Sequence, residues 1–252
     1  MENTLIVKVL TGEKTSYGFL EGEKVFLADG PVENLRKTGE TADKNKCRFL
    51  APVGSGKLII VASNYTEGKL PDRTAERKPA VFVLKPATAV VGPEDNIVYP
   101  ANCSHVHYET EVGVVIGKDA KNVSKEDALN YVLGYTLIND VTDRDRLDGQ
   151  WTFGKGRDSF LPVGPAIWVR HSDEGLFAEG ILNGESVQTV ETAHLTHSVA
   201  ELIAEISSYF TLKPGDLICS GTSHGGGALK PGDSFTIKHP VMGELHNNVV
   251  AE

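Results

Sequence analysis

The chain has 252 residues, of which 40% are hydrophobic and 23% are charged, and its formal net charge is −9. This composition is typical of a soluble globular protein that is long enough to bury a sizeable core. The acidic balance argues against nucleic-acid partners, which need a basic face, and gives no support for binding to an anionic membrane surface.

The cysteines and the N-terminus indicate the compartment. Cys47, Cys103 and Cys219 are widely spaced and form neither a disulfide framework nor a CxxC zinc pattern. The first residues show no basic segment followed by an apolar one, and no apolar run reaches the length of a membrane span. We therefore expect a cytoplasmic protein without a membrane partner.

Short strands dominate the predicted elements. The first part of the chain predicts strands at residues 5–9, 17–20 and 25–27, followed by a polar stretch at 30–48. We interpret residues 1–48 as a small N-terminal β domain with its connection, and residues 49–252 as the main domain. Further strand-like runs, divided by Pro and Gly, lie at 58–62, 80–84, 112–116, 135–138, 165–169, 216–219 and 234–237.

Two helices are predicted. Ser124 followed by Asp127 indicates a helix start before residues 128–131. Ser198 with Glu201 forms a capping-box pattern, and the apolar residues that follow recur at i, i+3, i+4 and i+7, which is one helical face.

Paired carboxylates precede one of the apolar runs. Glu109 and Glu111 would lie on one face of a strand that continues into residues 112–116. Two buried like charges need compensation, which a divalent cation supplies. Asp140 follows the run 135–138 and would complete a three-carboxylate set suited to Mg²⁺, Mn²⁺ or Ca²⁺. The alternative is a set of exposed surface carboxylates, which an E-x-E pattern alone favours.

Other polar residues could share this site. Lys155 lies between an aromatic-rich stretch and an apolar run, so it either holds a substrate carboxylate or enolate, or is an ordinary surface lysine. Arg144 follows the third carboxylate closely, although such charge runs are most often solvated. In the glycine-rich segment 220–227, Gly221 would let the backbone approach a ligand and Thr222 would donate a hydrogen bond; the alternative is a flexible turn.

In their order and spacing these segments resemble the fumarylacetoacetate hydrolase family. The similarity is strongest to its small members: acylpyruvases, fumarylpyruvate hydrolases, oxaloacetate decarboxylases or tautomerases, and hydroxyheptadienedioate isomerases. It runs from about residue 49 to the C-terminus and includes the segments 63–65, 82–86, 107–111, 114–118, 134–135, 139–145, 151–155, 162–165, 183–184, 221–222 and 229–233.

The resemblance implies a mostly β (α+β) catalytic domain of the family's mixed β-sandwich and roll type, a small N-terminal domain and a homodimer. It assigns roles to the residues above: metal binding (Mg²⁺ or Mn²⁺) to Glu109, Glu111 and Asp140, catalysis to Lys155 and Arg144, and substrate binding to Lys155, Thr222, Gly221 and Asn64. The implied substrate is a small 2-oxo or 2,4-dioxo acid whose carboxylate and 2-oxo group chelate the metal, a Lewis acid that stabilises the enolate.

One departure concerns the charged segment 67–78, which is either a solvated loop or a mobile lid. Hydrolytic members carry Asn-Tyr-x-x-His-x-x-Glu at its start, and the His–Glu pair activates water as general base. Asn64 and Tyr65 are present here, but Gly68 and Pro71 stand where the pair is expected. The remaining candidates for this role are Glu67, Glu76 and His224.

The patterns predict a divalent-metal-dependent hydrolase that cleaves a C–C bond in a small acylpyruvate-type acid from aromatic or sugar-acid degradation, through a metal-bound enolate. The departure keeps two alternatives open. One is a decarboxylase or an isomerase/tautomerase of a 2-oxo or 2-hydroxydienoic acid, which needs no water base. The other is a binder of dicarboxylates without catalysis.

Overall fold

The computed structural model describes residues 3–224 and 226–252. Its first strands form an antiparallel meander: β1 (Leu5–Thr11), β2 (Lys14–Glu21), β3 (Lys24–Asp29) and β4 (Arg36–Asp43). Each of the first two turns contains a glycine at positive φ, Gly12 at 61° and Gly22 at 58°. Glycine adopts this conformation without steric cost, which suits a tight hairpin turn.

Strand β4 lies in the polar stretch that we interpreted as a connection. All of its residues except Ala42 are exposed, and it is the outermost strand of its sheet, bonded to β3 alone among the described strands. A strand with water on both faces shows no apolar alternation, and this is why the sequence pattern missed it.

The rest of the chain is also mostly strand. The strands are β5 (Arg48–Leu50), β6 (Leu58–Ala62), β7 (Val81–Lys85), β8 (Val90–Val91), β9 (Asn96–Tyr99), β10 (Val106–His107), β11 (Thr110–Ile116), β12 (Val132–Asn139), β13 (Thr142–Asp143), β14 (Leu161–Val169), β15 (Phe177–Leu182), β16 (Glu185–Glu191), β17 (Leu217–Cys219), β18 (Ser234–His239) and β19 (Gly243–Ala251). The α-helices among the described residues are α1 (Trp151–Lys155) and α2 (Val199–Tyr209).

Among the described residues, twelve strands form one large sheet. Ten of them follow the order β4-β3-β2-β1-β14-β12-β11-β17-β6-β7, while β5 pairs with β1 and β8 with β14. A second sheet has the order β16-β15-β18-β19-β9, and β10 pairs with β13. Since β1 pairs with β14 in antiparallel register, Ile6 opposite Ile167, the N-terminal strands extend the main sheet.

The centre of the large sheet is buried on both faces. Along β6, Ile59 and Val61 pack in the core that includes α2 and the five-stranded sheet, whereas Leu58 and Ile60 belong to the core on the other side. Every residue of β11 is buried, which explains its unbroken apolar run. The site carboxylates lie at one end of this doubly covered strand.

The predicted fold class, a mostly β protein with packed sheets and a small N-terminal domain, is confirmed. The capping box of Ser198 and Glu201 begins α2 as predicted. The helix expected after Ser124 is a single 3-10 turn, Ala128–Tyr131. No helix within residues 3–224 and 226–252 is both long and apolar enough to cross a membrane.

Candidate functional site

Three buried carboxylates meet where β11 and β12 run side by side. Thr110 of β11 is opposite Asn139 of β12, and the Asp140 amide donates to the Glu109 carbonyl at 2.9 Å. This register places Asp140 beside the start of β11. Glu109, just before β11, and Glu111, within it, are two residues apart and therefore point to the same face. Each of the three offers a ligand oxygen within 4.8 Å of the others. The structure therefore brings together the residues predicted to bind a metal.

Two further predicted residues reach the same cluster. Lys155 is the last residue of α1, and its buried ammonium lies 3.0 Å from Glu109 Oε2 and also contacts Asp140 Oδ2. It donates to Thr142 Oγ1 at 3.0 Å as well. Arg144 contacts the other oxygen of Glu109, Oε1, and its side chain is partly exposed. Both cations are thus held by the carboxylate set.

Lys85 is a member of the cluster that sequence reasoning missed. This last residue of β7 is buried, and its Nζ lies 2.6 Å from Asp140 Oδ1. It also donates to the carbonyl oxygens of Val141 at 3.1 Å and Phe160 at 2.5 Å. No local signal in the sequence indicated this role, because lysines are mostly exposed and the partner Asp140 lies 55 positions away in the chain.

The surroundings shift the pKa of each acidic group differently. Burial and the nearby Asp140 raise the pKa of Glu111 well above its ordinary value. Burial also raises the pKa of Glu109, although the ammonium of Lys155 opposes it. Burial alone would raise the pKa of Asp140, but Lys155 and Lys85 outweigh it and lower that pKa to about 2. Asp140 is therefore the ionised centre of the cluster.

The pKa values of the two lysines shift in opposite directions. For Lys155 burial favours the neutral amine, but the carboxylates of Asp140 and Glu109 dominate and raise the pKa above its ordinary value. For Lys85 burial prevails over the single carboxylate partner and lowers the pKa. Lys155 is consequently a fixed positive charge at neutral pH.

The segment after β17 forms another wall of the site. The Gly221 amide donates to Glu111 Oε2 at 2.9 Å. Its φ is +110°, and an added Cβ would lie 3.0 Å from Asn64 Cβ, so the close approach requires glycine. The Thr222 hydroxyl donates to the Thr110 carbonyl at 2.8 Å and accepts from Gln188 Nε2 at 2.9 Å. Gln188 is a second residue that sequence reasoning missed.

Asn64 lies behind this wall. Its side chain is buried, and Nδ2 donates to the carbonyls of His197 at 3.0 Å and Ser220 at 2.8 Å. Its Oδ1 accepts the His197 amide at 2.6 Å. Asn64 thus ties three chain segments together, and its predicted contact with substrate stays a prediction.

These groups surround a cleft of about 430 Å³. Its polar lining includes Glu109, Glu111, Arg144, Lys155 and Thr222. The remaining wall includes Val61, Ala62, Ser63, Tyr65, Leu147, Trp151 and His224. A cleft of this size that combines charged groups with apolar and aromatic side chains is typical of a small-molecule site.

Comparisons with known proteins find relatives over most of the chain. The family profile described as fumarylacetoacetate (FAA) hydrolase C-terminal matches residues 56–250, and one described as Rv2993c-like, N-terminal, matches residues 5–52. Protein Rv2993c of Mycobacterium tuberculosis is 39% identical over 89% of this chain and 86% of its own. The mitochondrial oxaloacetate tautomerase FAHD2A of Bos taurus is 35% identical over 82% of this chain and 71% of its own.

Solved structures are also similar over the whole chain. The 2-hydroxyhepta-2,4-diene-1,7-dioate isomerase of Mycobacterium marinum has a TM-score of 0.90 and 35% identity, covering 99% of both chains. The maleylpyruvate hydrolase of Sphingobium in complex with manganese(II) and pyruvate has a TM-score of 0.81 and 26% identity, covering 98% of this chain and 99% of its own. The chain therefore belongs to the fumarylacetoacetate hydrolase family, whose members include hydrolases, isomerases and tautomerases.

Proposed function

We propose that this protein is a Mg²⁺- or Mn²⁺-dependent hydrolase that cleaves a C–C bond in a small 2-oxo or 2,4-dioxo acid of the acylpyruvate type. The observation that carries the proposal is the set of three buried carboxylates at the base of the cleft, with a lysine and an arginine bound to it. Similar proteins named as hydrolases, among them the manganese and pyruvate complex, support the reaction class.

The donor set fits a hard divalent cation. Glu109, Glu111 and Asp140 offer oxygen ligands alone, which suits Mg²⁺ or Mn²⁺ better than zinc, for which histidine or cysteine ligands are usual. A cation held there would act as a Lewis acid toward the 2-oxo group of the substrate. Burial and Asp140 raise the pKa of Glu111, whose hydrogen-bond partner among the described residues is the Gly221 amide and not a cation, so a bound metal would supply the missing positive charge there.

The formal charges also favour an anionic substrate. In formal charge the three carboxylates are matched by three cations, Lys85, Lys155 and Arg144, which contact Asp140 and Glu109. A dication would therefore leave the cluster with a surplus of two positive charges. A dicarboxylate, or the enolate of a 2-oxo acid with its carboxylate, balances that surplus.

Lys155 and the segment after β17 would act on the substrate directly. Because its pKa is raised, Lys155 stays protonated and stabilises negative charge that develops on the 2-oxo oxygen, rather than removing a proton. Thr222 lines the cleft and can turn its hydroxyl from the Thr110 carbonyl to a substrate carboxylate. Arg144 lies on the exposed side, where it can bind the far end of a longer acid.

A second function, tautomerisation, isomerisation or decarboxylation of a 2-oxo acid, also has a specific observation in its favour. Gly68 and Pro71 stand where hydrolytic relatives carry the water-activating pair. Enolate chemistry needs the carboxylate cluster and Lys155 but no attacking water. The oxaloacetate tautomerase among the relatives is consistent with this chemistry.

A homodimer belongs to the proposal as well. β7 is the outer strand of the large sheet on the side of the site. Its Val81 and Leu84 are 55% and 48% exposed, and a second copy would cover them. Light scattering after size exclusion tests this, with a mass near 27.2 kDa contradicting it.

The function is tested by turnover of acetylpyruvate, fumarylpyruvate and oxaloacetate with Mn²⁺ or with EDTA. We expect the enol absorbance to fall and both cleavage acids to form, in a metal-dependent way. Glu109→Gln should abolish turnover and weaken Mn²⁺ binding in calorimetry, whereas Glu185→Gln on the exposed start of β16 should change neither. Keto–enol exchange or CO₂ release without cleavage acids would favour the second function. Turnover that is unaffected by EDTA and by Glu109→Gln would refute the metal site.

A further inference from the structure

A histidine and a glutamate lie together at the cleft and take no part in the cluster described above. His224 lines the cleft, and its Nδ1 lies 3.1 Å from Glu67 Oε1. The same oxygen accepts the His224 backbone amide at 2.6 Å. A carboxylate on Nδ1 orients an imidazole and leaves Nε2 as the nitrogen that accepts a proton.

The sheet explains how two residues 157 positions apart in the chain meet. β6 and β17 are parallel neighbours, with Ile60 opposite Cys219. The segments that follow these strands therefore leave the sheet at the same edge. Glu67 lies on the first of these segments and His224 on the second, so the pairing is a consequence of the topology.

The other titratable groups that line the cleft are already committed. Glu109 is bound to Lys155 and Arg144, and Glu111 holds the Gly221 amide. The Tyr65 hydroxyl accepts the Glu191 amide at 3.1 Å, and burial raises its pKa. Histidine is the side chain used most often as a general base, and His224 is the histidine among the described lining residues.

We propose that His224 is the general base that activates the attacking water, with Glu67 as its positioning residue, so that a pair from two different segments replaces the one absent at Gly68 and Pro71. This inference rests on the proposed hydrolase function. His224 is well placed for water supply, because its side chain is 82% exposed and that of Glu67 is 49% exposed.

The step balances with the substrate and one water. His224 Nε2 takes a proton as the water oxygen bonds to the C4 carbonyl carbon of a 2,4-dioxo acid. Collapse of the resulting alkoxide breaks the C3–C4 bond, and the electron pair moves to C3 to give the enolate of a 2-oxo acid. The imidazolium then returns its proton to C3. The products are one carboxylic acid and one 2-oxo acid, and nothing is oxidised or reduced.

The experiment compares hydrolysis of acetylpyruvate by the full-length wild type and by His224→Ala with saturating Mg²⁺. We expect kcat to fall about 100-fold or more, the range for loss of a general base, with KM and Mn²⁺ affinity unchanged. Added imidazole should restore part of the rate, because the position is open to solvent. Glu67→Gln keeps an acceptor for the His224 amide, and we expect its kcat to fall about 10- to 100-fold.

His105→Gln is the matched control. His105 also has a carboxylate partner, with Nδ1 2.6 Å from Asp145 Oδ1, but it is not among the lining residues of the cleft. The kcat of His105→Gln should equal that of the wild type. If the wild type is active and the kcat of His224→Ala is within threefold of it, the His224–Glu67 pair is overturned while the hydrolase function stands. A loss that comes with higher KM or weaker Mn²⁺ binding also overturns the pair, since it indicates a structural role. A wild type without cleavage activity refutes the proposed function itself.

Discussion

Lys85→Met tests whether the missed lysine stabilises the site. The substitution keeps the length and apolar stem of the side chain but removes the buried ammonium. Asp140 then keeps Lys155 as its cationic partner among the described residues, and the carbonyls of Val141 and Phe160 lose their donor. The change therefore leaves one carboxylate underpaired and two buried acceptors without this bond.

The size of the effect follows from burial. Removing one partner of a buried ion pair costs about 3–5 kcal/mol. Because Lys155 still contacts Asp140, we expect the lower end of this range, about 3 kcal/mol. For a chain of this length such a loss corresponds to a decrease in Tm of about 6–12 °C.

Urea unfolding in EDTA, followed by tryptophan fluorescence, measures this loss without a contribution from bound metal. Lys213→Met is the control, since Lys213 lies 2.5 Å from Asp119 with both side chains more than half exposed. An exposed pair contributes at most about 1 kcal/mol. If Lys85→Met costs no more than Lys213→Met, the buried ammonium does not stabilise the cluster.

Three other predictions concern the scaffold. In Gly113→Ala the new Cβ would clash with Ile138 Cδ1, so denaturant unfolding should show a free energy of unfolding that is lower by about 1–3 kcal/mol. Adding Ile138→Val should recover part of this loss, and equal stability of Gly113→Ala and the wild type would contradict the clash. Ser198→Ala removes the α2 cap and should lower the free energy of unfolding by about 1 kcal/mol in the same assay. Ser208→Ala, at an exposed position of the same helix, is the control and should leave stability nearly unchanged. Burial and Arg170 lower the pKa of His239, whose Nδ1 accepts the Val241 amide at 3.1 Å. As pH falls, His239 is therefore protonated in the unfolded chain before it is protonated in the folded one, and the free energy of unfolding should decrease from about pH 6.5 down to the lower folded pKa. His239→Gln should flatten the pH dependence of stability over this range, and an unchanged slope would refute the role of His239.

Sequence patterns predicted the elements whose burial is visible locally. The apolar run that became β11 and the capping box of α2 both appear in consecutive residues, so neighbouring side chains carry the information. β4 was not predicted because an edge strand with water on both faces shows no alternation of apolar and polar residues. The turn at residues 128–131 had a helix-start signal, but it continues into β12 at once, since tertiary packing overrides local propensity.

For the site, sequence could propose members but not their partners. The carboxylates were predicted because two like charges beside an apolar run need compensation and because the family resemblance assigns them to a metal, and the structure brings all three together. Lys85 was missed because its partner Asp140 lies 55 positions away, and nothing near Lys85 in the chain indicates that contact. Glu67 and His224 were two of three candidates for one role, and only the parallel pairing of β6 and β17 explains why these two meet.

The pairing of β1 with β14 gives the N-terminal residues a protective role in the fold. Leu5, Ile6 and Val7 lie opposite Trp168, Ile167 and Ala166, so a chain that lacked its first strands would expose the backbone amides and carbonyls of an apolar strand. Such an edge is a template for intermolecular pairing and aggregation. A protein without its first strands would therefore be expected to self-associate through β14 even while its carboxylate cluster remained in place.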